Sequence, residues 1–119
     1  MKYIIITLLL LSSAFAESNT GPHIMFDQWI GGIVENDLRK FKHAYQNEFW
    51  QNLSNKQKQR MLDTYRNAFK NLGHYKKSDF SVSYDGDEKV GTLTIKFKNR
   101  KIRALKVMQI KGDWFFVQS

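Results

Sequence analysis

The sequence predicts an α+β domain. Apolar residues recur at helical spacing as far as Leu72, the period then switches to two, and Gly, Asn and Asp punctuate the second half at hairpin intervals. Helices come first and strands afterwards, without alternation. This segregation predicts N-terminal helices packed on one face of a four-stranded antiparallel meander.

Pro22, the only proline, suits the first turn of a helix, where its missing N–H costs nothing. From His23 to Glu35, Met25, Phe26, Trp29, Ile30, Ile33 and Val34 make a broad apolar face. Gly31-Gly32 weakens this helix by roughly 1–2 kcal/mol relative to alanine, so a kink or a close approach is expected there. Asn36-Asp37 interrupts the pattern, and Asp37 is placed to N-cap a short helix bearing Leu38, Phe41 and Tyr45. Ser54-Asn55-Lys56-Gln57 is a capping box, in which the Ser54 and Gln57 side chains each satisfy a free backbone N–H. Met61, Leu62, Tyr65, Ala68, Phe69 and Leu72 follow as one apolar stripe. Lys56, Arg60, Arg66 and Lys70 lie away from it, and Gly73 supplies a left-handed stop.

Beyond Gly73, Phe80 to Tyr84 alternates strictly and Asp85-Gly86-Asp87-Glu88 is turn chemistry. Val90 to Lys98 places Leu93, Ile95 and Phe97 inward and Thr92, Thr94, Lys96 and Lys98 outward. Asn99-Arg100 turns into a strand from Lys101 to Ile110, and Lys111-Gly112-Asp113 turns into Trp114 to Gln118. A two-residue turn at Gly112-Asp113 sets Ile110 opposite Phe115 and Met108 opposite Val117 on one face, with Val107, Trp114 and Phe116 on the other. Both faces are then apolar, unlike those of a half-solvated strand. The outer one is expected to be covered, by a partner chain or by the N-terminal helix.

The N-terminus reads as a cleavable secretory signal over residues 1–16: Lys2, an apolar run from Tyr3 to Leu11, and Ser12-Ser13-Ala14-Phe15-Ala16 ending in the A-x-A pattern. That run is about half the length a membrane span needs. Cleavage leaves 103 residues from Glu17, a single domain. This length buries a core without staples, in keeping with the absence of cysteine in a chain bound for an oxidising, periplasmic or extracellular compartment. The absence also excludes thiolate metal sites and a cysteine nucleophile. Net charge is +8, or +7 once Lys2 leaves, and basic residues dominate from position 51 onward. Such a balance points to anionic lipid headgroups, acidic polymers or an acidic protein surface, and export argues against nucleic acid. A solvated basic surface with no specific partner is the bland alternative.

Helices followed by a meander, Glu35-Asn36-Asp37-Leu38 after the first helix, and a final Gly112-Asp113-Trp114 hairpin resemble small exported members of the NTF2-like superfamily, within the cystatin-like folds. The resemblance implies a cone of helices on a curved sheet, and homodimerisation through the sheet face. A narrower stretch, Tyr45, Phe49-Trp50, Ser54, Gln57, Tyr65 and Phe69, is similar to the helical segment of periplasmic phospholipid carriers of the Mla pathway. Those carriers are longer and have a C-terminal extension that this chain lacks.

The aromatic set Trp29, Phe41, Tyr45, Phe49, Trp50, Tyr65 and Phe69 is the candidate ligand-binding site, since apolar ligands favour aromatic-walled clefts. The same rings can instead fill the core. Lys96, Lys98, Arg100, Lys101 and Arg103 gather at one hairpin as an anion-facing rim, or as protection of a sheet edge. His23, His43 and His74 show no metal-binding spacing, and no cofactor or metal is expected. His23 and Asp27 sit four apart on one helix face; the resemblance implies that an Asp–His arrangement inside the cone can act as general acid and base, as in some NTF2-like enzymes, but no diagnostic motif places these residues there.

Three functions follow. The first is a non-enzymatic exported module binding an amphipathic or anionic small ligand or lipid. The second is a protein-interaction role, such as an inhibitor or immunity protein. The third is a small enzyme. They differ in what they require: a cavity of a few hundred Å³, a filled core with an exposed patch, or convergent carboxylate and histidine.

Overall fold

A computed structural model of the chain describes residues 21–118, so the predicted signal sequence lies outside the described residues. The fold is α+β. Helix α1 spans Pro22–Glu35, α2 Leu38–Phe41, α3 Asn47–Gln51 and α4 Asn55–Lys70, with 3-10 turns at Lys42–Ala44 and Lys77–Asp79. Strands β1 (Phe80–Gly86), β2 (Val90–Phe97), β3 (Arg100–Ile110) and β4 (Asp113–Phe116) form one antiparallel sheet in the order β1-β2-β3-β4. Among the described residues, no helix is long and apolar enough to cross a membrane.

Helix α1 is amphipathic as its periodicity predicts, burying Met25, Phe26, Trp29, Ile30 and Ile33. The paired glycines serve a close approach. A Cβ on Gly32 would lie 2.6 Å from the Phe41 backbone nitrogen, so α2 packs directly on this turn of α1. Asn36 takes the left-handed conformation that ends α1, and the Asp37 N–H donates to the Gly32 carbonyl at 2.8 Å. Asp37 caps α2 as expected, its carboxylate accepting from the Arg39 N–H at 2.9 Å. Helix α2 stops after one turn, however. Tyr45 lies beyond it in extended conformation, and α3 is a separate short helix that the apolar pattern does not reveal.

Both halves of the Ser54–Gln57 capping box form, at 3.1 and 2.7 Å. Of the predicted α4 stripe, Leu62 and Phe69 are buried and Met61 and Tyr65 half-buried, while Ala68 and Leu72 are exposed. The helix presents a narrower face to the core than its pattern spans. Arg66 corrects the expectation of a solvated basic face. Its guanidinium crosses to α1 and donates to the Ile33 and Val34 carbonyls, satisfying acceptors at a helix end where the dipole favours a cation.

Two of the turns fall one residue earlier than the sequence suggests. Lys98 and Asn99 have φ of 50° and 69°, and Lys111 and Gly112 have 52° and 89°. These are two-residue turns of the type whose twist suits a hairpin. β3 therefore begins at Arg100 and β4 at Asp113. The last hairpin pairs Met108 with Phe115 and Val107 with Phe116, two residues away from the predicted register. A shift of two keeps every side chain on its face.

Val107, Trp114 and Phe116 join Leu93, Ile95 and Phe97 on the side that carries the core. Helix α1 packs against β1 and β4 on this inner side. It is therefore not the cover expected for the opposite face. There Val90, Met108 and Phe115 form a cross-strand row beside Ile110 and Val117, with Val90 55% exposed and Val117 42%. At this end of the inner face the Tyr84 ring lies over Gly91, where a Cβ would collide with it, and meets the Trp114 ring edge-on at 5.4 Å.

Candidate functional site

Trp29 organises the aromatic set. Fully buried, it contacts Phe41, Tyr65, Phe69 and Phe116 with ring centroids 4.9–6.3 Å apart, and its indole N–H donates to the Tyr45 hydroxyl at 3.1 Å. Burial holds the Tyr45 hydroxyl well above its usual pKa, and Tyr65 adds to the effect. The Trp29 hydrogen bond and the nearby Arg103 charge act the other way. Phe41 also meets Tyr45 and Trp50, and Phe69 meets Phe80. Trp29, Phe41 and Phe69 are core, packed ring against ring. Tyr45, Trp50 and Tyr65 reach open grooves at its margin, and Phe49 is half-buried against Tyr45.

The first groove runs between α4 and β3. Its two connected parts, of about 240 and 270 Å³, share Met61, Tyr65 and Arg103. Leu105, Phe116 and Val117 add apolar surface, and Lys106 and Gln118 stand at the rim. β4 pairs with residues Val107–Ile110, and the Val117 N–H donates to the Lys106 carbonyl; among the described residues no strand lies beside the preceding part of β3, which leaves the groove open. A bulge aims Arg103 into it. Ile95 faces Arg103 while Lys96 faces Lys101, so Ile102 is left over and Arg103 shares the inner face with Ile95. The guanidinium carbon sits 5.7 Å from the Tyr65 ring centroid, a cation–π geometry. The described ion pairs are Asp37–Arg39, Glu35–Lys40 and Asp27–Lys77, so no described carboxylate is paired with Arg103 or with the hairpin lysines.

The five-cation rim is thereby split between faces. Lys96 and Lys101 are cross-strand neighbours on the outer face. Lys98 stands in the turn with its ammonium 5.3 Å from the Phe97 ring, Arg100 opens β3, and Arg103 alone faces the groove. The bulge had one trace in the sequence: Ile102 and Leu105 are three apart, where strict alternation requires two. Leu105, Lys106 and Phe116 become site residues only because β4 is short, which periodicity does not encode.

A second groove of about 290 Å³ is lined by Lys42, His43, Tyr45, Asn47, Trp50 and Phe115. Among the described residues, neither groove is lined by a carboxylate. Asp27 instead pairs with Lys77 at 2.9 Å on the surface, and His23, His43 and His74 are all exposed. Among the described residues, no three histidines or carboxylates come together as a metal site. No family model, curated protein or solved structure matches this chain.

Proposed function

We propose that this chain is an exported, non-enzymatic binding module that takes an amphipathic anion into the groove between α4 and β3. One observation carries the reading: Arg103 is held over Tyr65, among Met61, Leu105 and Phe116, and among the described residues no carboxylate pairs with it. An acyl or aryl body would cover the apolar wall while its acid group met the guanidinium, a geometry in which arginine binds carboxylate or phosphate through two parallel bonds. The groove lies at the lower end of ligand-site volumes, which favours a single chain or ring, partly enclosed. Helices ahead of a four-stranded meander support reading the domain as NTF2-like, and the predicted signal supports a periplasmic setting. The test is titration of residues 17–119 with dodecyl phosphate, followed by tyrosine and tryptophan fluorescence. Saturable binding that Arg103→Ala weakens at least tenfold is expected. Binding that dodecanol reproduces equally well would remove the anion from the account.

A second reading, capture of an acidic protein surface in an inhibitor or immunity role, is favoured by a separate feature. The core is filled by its own rings, while Lys96 and Lys101 stand side by side on an open face. Like charges directly opposite destabilise a sheet, and a carboxylate-rich partner would relieve them.

A further inference from the structure

The two edges of the sheet are built differently. The β4 edge is four residues long, is packed by the Lys42–Ala44 turn, and gives way to a bulged, cationic stretch of β3. Short strands, bulges and lysines are the devices that keep edges from pairing. β1 has none of them. It is seven residues long, pairs with β2 in unbroken register, and carries no charge from Phe80 to Tyr84.

The register also says which backbone groups are free. The Asp87 N–H donates to the Val90 carbonyl and the Lys98 N–H to the Asp79 carbonyl. Hydrogen-bonded pairs alternate along an antiparallel ladder, so Ser81, Ser83 and Asp85 direct their N–H and C=O groups at β2. Phe80, Val82 and Tyr84 direct theirs away from it, toward the side where no described strand lies.

We propose that this edge receives a second copy of the chain, β1 pairing antiparallel with the partner's β1 about a two-fold axis at Val82. Phe80 then pairs with the partner's Tyr84 and Val82 with the partner's Val82, each pair exchanging two N–H···O=C bonds. This register engages Phe80, Val82 and Tyr84 together, whereas an axis at Ser81 or Ser83 would pair only two of them with each other. The high net positive charge disfavours self-association at the cationic hairpin and leaves the uncharged edge for it. Each chain has one such edge, so the assembly closes as a dimer joined by a continuous sheet. The inference is independent of the groove and its ligand.

Native mass spectrometry and light scattering of residues 17–119 test it. Twice the protomer mass is expected, with slow amide exchange at Val82 and Tyr84. Val82→Pro removes an N–H that the β1–β2 ladder does not use, and Ser81→Lys/Ser83→Lys sets lysines against the partner's lysines on an exposed face. Each is expected to weaken the dimer at least tenfold while near-ultraviolet circular dichroism stays unchanged. A monomer at concentrations up to about 1 mM, where even weak association shows, overturns the proposal. So does a dimer that survives Ser81→Lys/Ser83→Lys and dissociates instead on Phe115→Ser, which would place the contact on the outer sheet face.

Discussion

The inner face of the sheet and the β2–β3 hairpin handle their strongest side chains in opposite ways. On the inner face, Trp29, Phe41, Tyr45 and Phe69 are satisfied by one another, down to the indole N–H on the Tyr45 hydroxyl. At the hairpin, Lys98 and Arg103 meet only aromatic rings, and none of Lys96, Lys98, Arg100, Lys101 and Arg103 has a described carboxylate partner: the described carboxylates in ion pairs are Glu35, Asp37 and Asp27, all bound elsewhere. One region is closed and supplies stability. The other is open and supplies charge that no described carboxylate meets.

The sharpest way to break the comparison is to compare Trp29→Ala with Arg103→Ala in urea unfolding. Trp29→Ala is expected to cost about 3–5 kcal/mol, the range for a large aromatic removed from a packed core. Arg103→Ala should stay within about 0.5 kcal/mol, as surface changes do. Equal losses would make Arg103 a structural residue. Next in size, Gly32→Ala is expected to lose about 2–3 kcal/mol, because the new methyl meets backbone of α2 that cannot move aside. Gly31→Ala, whose methyl would find only ordinary contacts at 3.8 Å and beyond, should be neutral or stabilise by up to about 1 kcal/mol.

A smaller effect sharpens the closed side through pH. Burial raises the Tyr45 pKa above its unfolded value of about 10, so the folded state holds that proton longer than the unfolded state does. Its contribution is fully present below pH about 10 and is lost as pH rises through the folded pKa. Stability measured against pH should fall above pH about 10, and Tyr45→Phe should flatten that limb. The smallest effect belongs to the open side. Lys101→Glu replaces a like pair opposite Lys96 with an opposite one, and is expected to raise stability by about 0.2–1 kcal/mol in thermal melts.

Much of the closed region was legible in the sequence, because it depends on periodicity and local hydrogen bonds. Asp37 and Ser54 accept the N–H groups their positions promised, and Gly31-Gly32 marks the close approach of two helices. The open region depends on register and strand length, which periodicity carries poorly. The bulge at Ile102 divides the cationic rim between two faces, and the early end of β4 exposes the groove beside Tyr65. Arg66 was misread for a related reason. Helical spacing placed it on the solvent side of α4, but its long stem reaches the end of α1.

The measurement that bears most directly on the groove is native mass spectrometry of residues 17–119 purified from a bacterial periplasm, wild type beside Arg103→Ala. The account predicts an added mass on the wild type that organic solvent extracts as an anionic amphiphile, and its loss from Arg103→Ala with the fold intact. A bare wild-type protein that also fails to bind dodecyl phosphate would contradict it, and would leave the paired lysines of the outer face as the place to look for a partner.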